Sequence, residues 1–224
     1  LAFMGNYTYF GSSSSVMPFG FDWLAVVVCG VVGGLLGGLF SRLLILFAFG
    51  FPGRLGDWIK AHPVLFAASC GFLVAICGII SGGAVYGTGY DQARQVLHDQ
   101  KDLSFFYAPL KFLATVLSSI SGIPGGIFAP SLSVGAGIGA DLAWLFPTTP
   151  IGALVLLGMV SYFSGVVQAP ITAFVIVAEM TANHNLVVPL MLAALIAQAS
   201  SKLVCKEGVY HALAKKFIPQ PPSA

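Results

Sequence analysis

Residues 112–140 carry no Asp, Glu, Lys or Arg, and four further stretches (23–41, 63–90, 142–178 and 180–201) are equally free of charge. A helix crosses the hydrocarbon core of a bilayer with about 20 apolar residues. Each stretch is therefore membrane material, and the two longest hold more than one helix. Charged residues make up 8% of the chain, against about 25% in a soluble domain. These facts define an all-α, polytopic integral membrane protein with about six to eight embedded helices, some of them short. A net charge of +2 without a basic run excludes nucleic acid as a partner. The chain opens LAFMGNYTYFG, which reads as the tail of a hydrophobic helix running into a loop. The expectation is a fragment with membrane-embedded chain before Leu1.

Glycine, proline and polar clusters divide the chain. Residues 6–17 are a loop and 21–49 a long helix. Residues 51–62 are a polar loop and 63–80 a second helix. The glycine-rich 81–90 leads into a short surface helix over 91–102. Helices follow over 103–118, 128–146, 151–165, 169–181 and 186–204. A short amphipathic helix spans 206–218, and the tail 219–224 is disordered. In the first long helix Gly30, Gly33, Gly34, Gly37 and Gly38 recur four apart, the spacing of close helix contact in lipid. Lys202, Lys206, Lys215 and Lys216 gather at the C-terminal end, which places that end in the cytoplasm by the positive-inside rule.

Few residues suggest covalent chemistry. Cys29, Cys70, Cys77 and Cys205 form no C-x-x-C pair and read as small hydrophobes. H-E-x-x-H and G-x-S-x-G are absent, so no catalytic residue, metal or cofactor is assigned and the chain is not read as an enzyme. YGTGY at 86–90 has a faint look of a potassium filter but lacks its four-fold repetition. GTGYD has a faint look of intramembrane aspartyl proteases, yet Asp91 runs into a polar segment and Asp141 sits in no matching motif.

The exceptional feature is SGIPGGIFAP at 121–130, which sets three glycines and two prolines inside the charge-free stretch. A helix broken at membrane depth leaves backbone groups unsatisfied, and this is tolerated where protein buries them or where they line a watery cavity. A helix starting after the break presents free N–H groups and the positive end of its dipole, an arrangement suited to an anion. Pro124 and Pro130 suit helix starts. Gly125 and Gly126 allow close approach of the backbone to an ion. The amides of Ile127, Phe128 and Ala129 are then available to a single anion. No full positive charge is expected beside them, so binding would be loose enough for passage. A plain structural kink explains the same residues.

SGIPGGIFAPSLSVGAGIG resembles the second-half filter motif, G-G-x-F-x-P, of the CLC chloride channels and anion/proton antiporters. YFSGVVQAPITAFVIVAEMT at 162–181, NLVVPLMLAALIAQ after it, KEGVYHAL at 206–213 and SGGAVYGTGYDQARQVL upstream are similar to further segments of that family. The resemblance implies a second repeat of an inverted-repeat fold with tilted and broken helices, residues 1–218 forming the C-terminal half of the membrane domain. It implies that the amides of Ile127 and Phe128 ligate a central anion, that Phe128 and Ala129 also contact an outer one, and that the Tyr210 hydroxyl donates to the central one. Gly125, Gly126 and Pro130 form the filter loop.

Bound chloride, surrounding lipid and a homodimer through residues 169–181 and 186–204 are implied in the same way, as is a bacterial inner (plasma) membrane. The first-half motifs G-S-G-x-P and G-x-E-G-P do not occur, so a missing N-terminal half is needed to complete the pore. Ser121 is read as a helix-end cap, and the gating glutamate lies outside this chain. Glu179 is expected to make a structural hydrogen bond, and Asp141 has no assigned role. His62, His98, His184 and His211 are expected at the surface, and Gln168 as a cap. A fluoride-exporting relative and a non-transporting half that packs against a partner are the alternatives.

Overall fold

The computed structural model describes residues 10–11, 15–17, 20, 22–98 and 104–215. The tail expected at 219–224 lies outside them. Regular structure among the described residues is helical throughout. In order the helices are α1 Trp23–Phe49, α2 Arg54–Ala61, α3 Pro63–Ile80, α4 Tyr90–Leu97, α5 Tyr107–Ile120, α6 Phe128–Asp141, α7 Ile151–Val167, α8 Pro170–Thr181, α9 Val187–Val204 and α10 Val209–Lys215, with a 3₁₀ turn Leu142–Leu145 after α6. The all-α expectation holds. α1, α3 and α9 are long and apolar enough to cross a membrane, whereas α5, α7 and α8 are shorter apolar helices.

The residues expected to be a polar loop at 51–62 instead hold α2. Gly53 (φ 85°) turns the chain, and Arg54–Ala61 then coils with Asp57 in its first turn and Lys60 in its last. These charges complement the helix dipole. Composition hid this helix because its eight residues are too few to show a periodic stripe.

α7 is the axis of the molecule. Every residue from Gly152 to Val166 is buried, as expected of a helix that is apolar all round. α1, α6, α8 and α9 pack around it. Lipid tails are as apolar as leucine, so such helices associate through close contact and interhelical hydrogen bonds. Both are present here. A Cβ at Gly33 would lie 2.6 Å from Ser161 Cβ, one at Gly34 2.4 Å from Ala197 O and one at Gly37 2.6 Å from Tyr162 O. The glycine stripe of α1 thus seats one edge on α7 and the other on α9.

Hydroxyls and amides then tie the same three helices. Ser41 Oγ lies 2.9 Å from Gly37 O and 3.0 Å from Val166 O. Ser164 Oγ donates to Ala194 O (2.8 Å) and Ser201 Oγ to Gly165 O (2.6 Å). Gln168 is the left-handed C-cap of α7 (φ 56°), and its Nε2 donates to Ser201 Oγ and Cys205 O at 3.1 and 2.7 Å. Gln168 is therefore a tie to the end of α9 as well as a helix terminus.

Two smaller expectations resolve differently, and one holds. His98 is half-buried, its Nε2 donating to Phe10 O over 2.9 Å. Glu179 is exposed and has no hydrogen-bond partner among the described residues, because it lies on the outward side of α8 while Val177 and Ala178 face inward. Cys29, Cys70 and Cys77 are buried free thiols, as expected of small hydrophobes.

Candidate functional site

The break in the chain is built from both sides. α5 ends at Ile120, and Ser121 Oγ donates to Ser118 O (2.7 Å) while accepting the Ile123 N–H (3.3 Å). Ser121 is thus the helix-end cap that the sequence suggested. Gly122 takes a left-handed φ of 82°, a conformation glycine adopts at no steric cost, and this reverses the chain. Pro124, Gly125 and Gly126 follow without regular structure, Ile127 is the N-cap, and α6 begins at Phe128.

α6 is held in depth and direction by its own small residues. Ser131 to Gly139 are all buried. A Cβ at Gly158 would meet Gly135 O at 2.2 Å and Gly139 N at 2.6 Å, so α6 and α7 touch backbone to backbone. The Phe128 ring meets Phe163 of α7 edge to face, with centroids 4.9 Å apart. Ile127 packs into an apolar cluster with Tyr162, Val134 and Val209. These contacts aim the first turn of α6 and leave the amides of Gly125, Gly126, Ile127, Phe128 and Ala129 without a backbone acceptor among the described residues.

Gly125 and Gly126 are exposed. A Cβ on either would touch nothing within 4 Å, and neither has a positive φ. Nothing inside the described chain demands glycine there. The space over these two residues is what glycine preserves.

α10 reaches the same cluster from far along the sequence. Val209 is buried in it beside Ile127, Tyr162 and Phe40, and a surface ion pair between Glu207 and Lys215 braces the helix. Tyr210 is 50% exposed and makes no hydrogen bond among the described residues. The structure thus brings Ile127 and, through Val209, the Tyr210 segment to one apolar cluster, with the tyrosine itself half exposed.

One charged group near the break escaped the sequence reading. Lys111 of α5 is 2% exposed, and its Nζ donates to Val85 O (2.8 Å) and Gly87 O (2.7 Å). It lines a cavity of about 130 Å³ together with Gly125, Gly126 and Pro130. The expectation that no full positive charge lies beside the break is therefore wrong. The signal was present, because a single cation inside an apolar helix marks a functional position by default. Lys111 stands immediately before the charge-free stretch that begins at Phe112.

The same bonds dispose of the potassium-filter resemblance of YGTGY. The carbonyls of Val85 and Gly87 are taken by Lys111, and that of Gly89 accepts from Ser133 Oγ (3.1 Å), which also bonds Tyr107 Oη (2.5 Å). Carbonyls turned to internal donors line no cation path. The aspartyl-protease resemblance fails on placement, since Asp91 and Asp141 border different cavities. No cluster of three His, Cys, Asp or Glu suited to a metal occurs among the described residues.

Fold and site together define a helical membrane protein organised around a broken helix whose free amide end is aimed by close helix contact. The sequence matches the family described as voltage gated chloride channel over residues 1–202, so the chain belongs to that family. It is 29% identical over 197 residues to a voltage-gated ClC-type chloride channel, ClcB, of Citrobacter koseri, covering 84% of this chain. It is 29% identical over 227 residues to an H(+)/Cl(-) exchange transporter, ClcA, of Yersinia pestis, covering 92%. The chain spans 46% of the length of each of these relatives.

Among solved structures, a slow cyanobacterial Cl-/H+ antiporter superposes with a TM-score of 0.73 at 23% identity, covering 95% of this chain and 51% of the antiporter. A CLC-type fluoride/proton antiporter also superposes at 0.73, with 22% identity and coverage of 89% and 49%. The fold expected from the sequence is thus the fold observed.

Proposed function

We propose that this chain supplies one half of a transmembrane pathway for chloride and similar small anions, as a channel or an anion/proton antiporter. The observation that carries the reading is the start of α6, where the amides of Ile127, Phe128 and Ala129 have no backbone acceptor among the described residues beside two glycines with open space over them. Helix-end partial charges hold an anion without the strong grip of a full charge at contact distance. Ile127 and Phe128 hold the central anion, with Phe128 and Ala129 reaching an outer one. The Tyr210 hydroxyl, a neutral donor that stays protonated at neutral pH, completes the central site.

The remaining ligands come from a complementary repeat, in keeping with inverted-repeat transporters whose site lies where two halves meet. Support for this part is the span of the matched relatives, 46% of whose length this chain covers, and the exposure of Tyr210 and the filter glycines. In this reading the working protein is a homodimer through α8 and α9 in a bacterial inner membrane, with its C-terminus cytoplasmic and chloride bound in each pore.

The test is anion efflux from liposomes holding the full-length protein. Wild-type protein should release chloride, and Tyr210→Phe should weaken chloride binding by about ten-fold, the scale of one hydrogen bond to a charge. A full-length protein that moves no anion sinks the reading. One that moves fluoride but not chloride overturns the choice of anion.

A further inference from the structure

We propose that the cavity between α5 and the Gly125–Gly126 turn is a second station for a small monovalent anion, charged by Lys111, from which the anion passes to the start of α6. The inference rests on the anion-transport reading and deepens it. Three observations converge on one place. The ammonium of Lys111 is buried, and the ion pair found among the described residues lies elsewhere, between Glu207 and Lys215, so no carboxylate among the described residues neutralises Lys111. The cavity it lines has a volume of about 130 Å³, room for one dehydrated halide and a few waters. The opposite wall is Gly125 and Gly126, whose amides have no acceptor among the described residues.

The bonding of Lys111 explains how a full charge serves passage rather than storage. An ammonium has three N–H donors. Two go to Val85 O and Gly87 O at 2.8 and 2.7 Å, which fixes the group and spreads its charge over two carbonyl dipoles. One donor remains, and an unneutralised cation in a low-dielectric surround attracts an anion over several ångströms. Two of the hydroxyls on the cavity wall are already committed. Thr115 Oγ1 and Ser119 Oγ donate to Lys111 O and Thr115 O, each over 2.7 Å, so their protons are spent within α5. The charge and the glycine amides, with the Ser118 hydroxyl beside them, are left as the attractive wall.

Chloride dependence tests this in full-length protein reconstituted in liposomes, with initial efflux and calorimetric binding measured against graded chloride. Lys111→Met, which keeps length and removes charge, should raise the half-saturating chloride concentration about ten-fold. Lys111→Arg, which keeps charge, should leave it within about two-fold. A Lys111→Met protein with the wild-type melting temperature and wild-type half-saturation overturns the proposal, as does Lys111→Arg with the defect of Lys111→Met. Should Lys111→Met fail to fold, Ser118 on the cavity wall decides. Ser118→Asp must raise half-saturation while Ser118→Asn does not, and equal behaviour of the two refutes the station. Wild-type protein that binds chloride with this Lys111 dependence yet moves none overturns transport and leaves the station standing. Protein that neither binds nor moves chloride overturns both.

Discussion

Ala182 shows how a single residue carries strain at an element boundary. It is the C-cap of α8 with φ 47° and ψ 30°, and its N–H bonds Ala178 O. An alanine Cβ in the left-handed region crowds its own carbonyl, whereas glycine does not. The chain holds alanine there because the next residue fixes the turn. Asn183 Oδ1 accepts the N–H groups of Asn185 and Leu186 at 3.0 and 3.2 Å, and its Nδ2 donates to Ser15 O. Ala182→Gly should therefore stabilise the protein by a few tenths to about 1 kcal/mol, the relief of strain exceeding the added freedom of the unfolded chain. Thermal melting in detergent measures this, and a lower melting temperature would contradict it. Sequence showed the turn at 183–185 but not the strain, because a positive φ at alanine follows from what the flanking helices require.

Helix contact decides where the site points. α6 and α7 meet through Gly135, Gly139 and Gly158, where a Cβ would fall within 2.6 Å of facing backbone. Gly158→Val should cost about 3 kcal/mol by overpacking and push α6 away from α7. The amides of Ile127 and Phe128 ride on α6, so anion efflux should fall even though residue 158 touches no ion. Gly71→Ala on α3 is the control, since its Cβ would meet nothing within 4 Å and the change should leave both stability and efflux at or above wild type. Efflux and melting temperature measured together decide between this coupling and a purely local effect. The glycine spacing of α1 was legible as a contact stripe because four-residue recurrence is a property of the chain alone. Its partners were not, since Ser161, Ala197 and Ser201 come to Gly33, Gly34 and Gly38 only when α7 and α9 are in place.

At the scale of the molecule, the outer faces of α8 and α9 remain apolar and open. Ile171 is 70% exposed, and Val175, Val188, Met191 and Leu195 are exposed with it. If these faces join two copies, Leu195→Arg should convert the detergent-purified full-length protein from dimer to monomer, read by light scattering. Persistence of the dimer would move the interface elsewhere. The half-exposed Tyr210 and the exposed Gly125 and Gly126 belong to the same scale, as open surface of the described chain.

Reading along the chain was enough to establish membrane class, the positions of most helices and the broken helix at 121–130, since each depends on local apolar length and on the backbone chemistry of glycine and proline. α2 escaped because eight residues carry too little periodic signal. The tertiary structure alone decided that Lys111 shares a cavity with Gly125 and Gly126. It also decided that the Gly87 and Gly89 carbonyls face internal donors rather than an ion, and that the Tyr210 segment and Ile127 share one cluster. Those are meetings between distant parts of the chain, and in lipid they are set by how closely helix backbones approach, a property of the assembled helices and of no single segment.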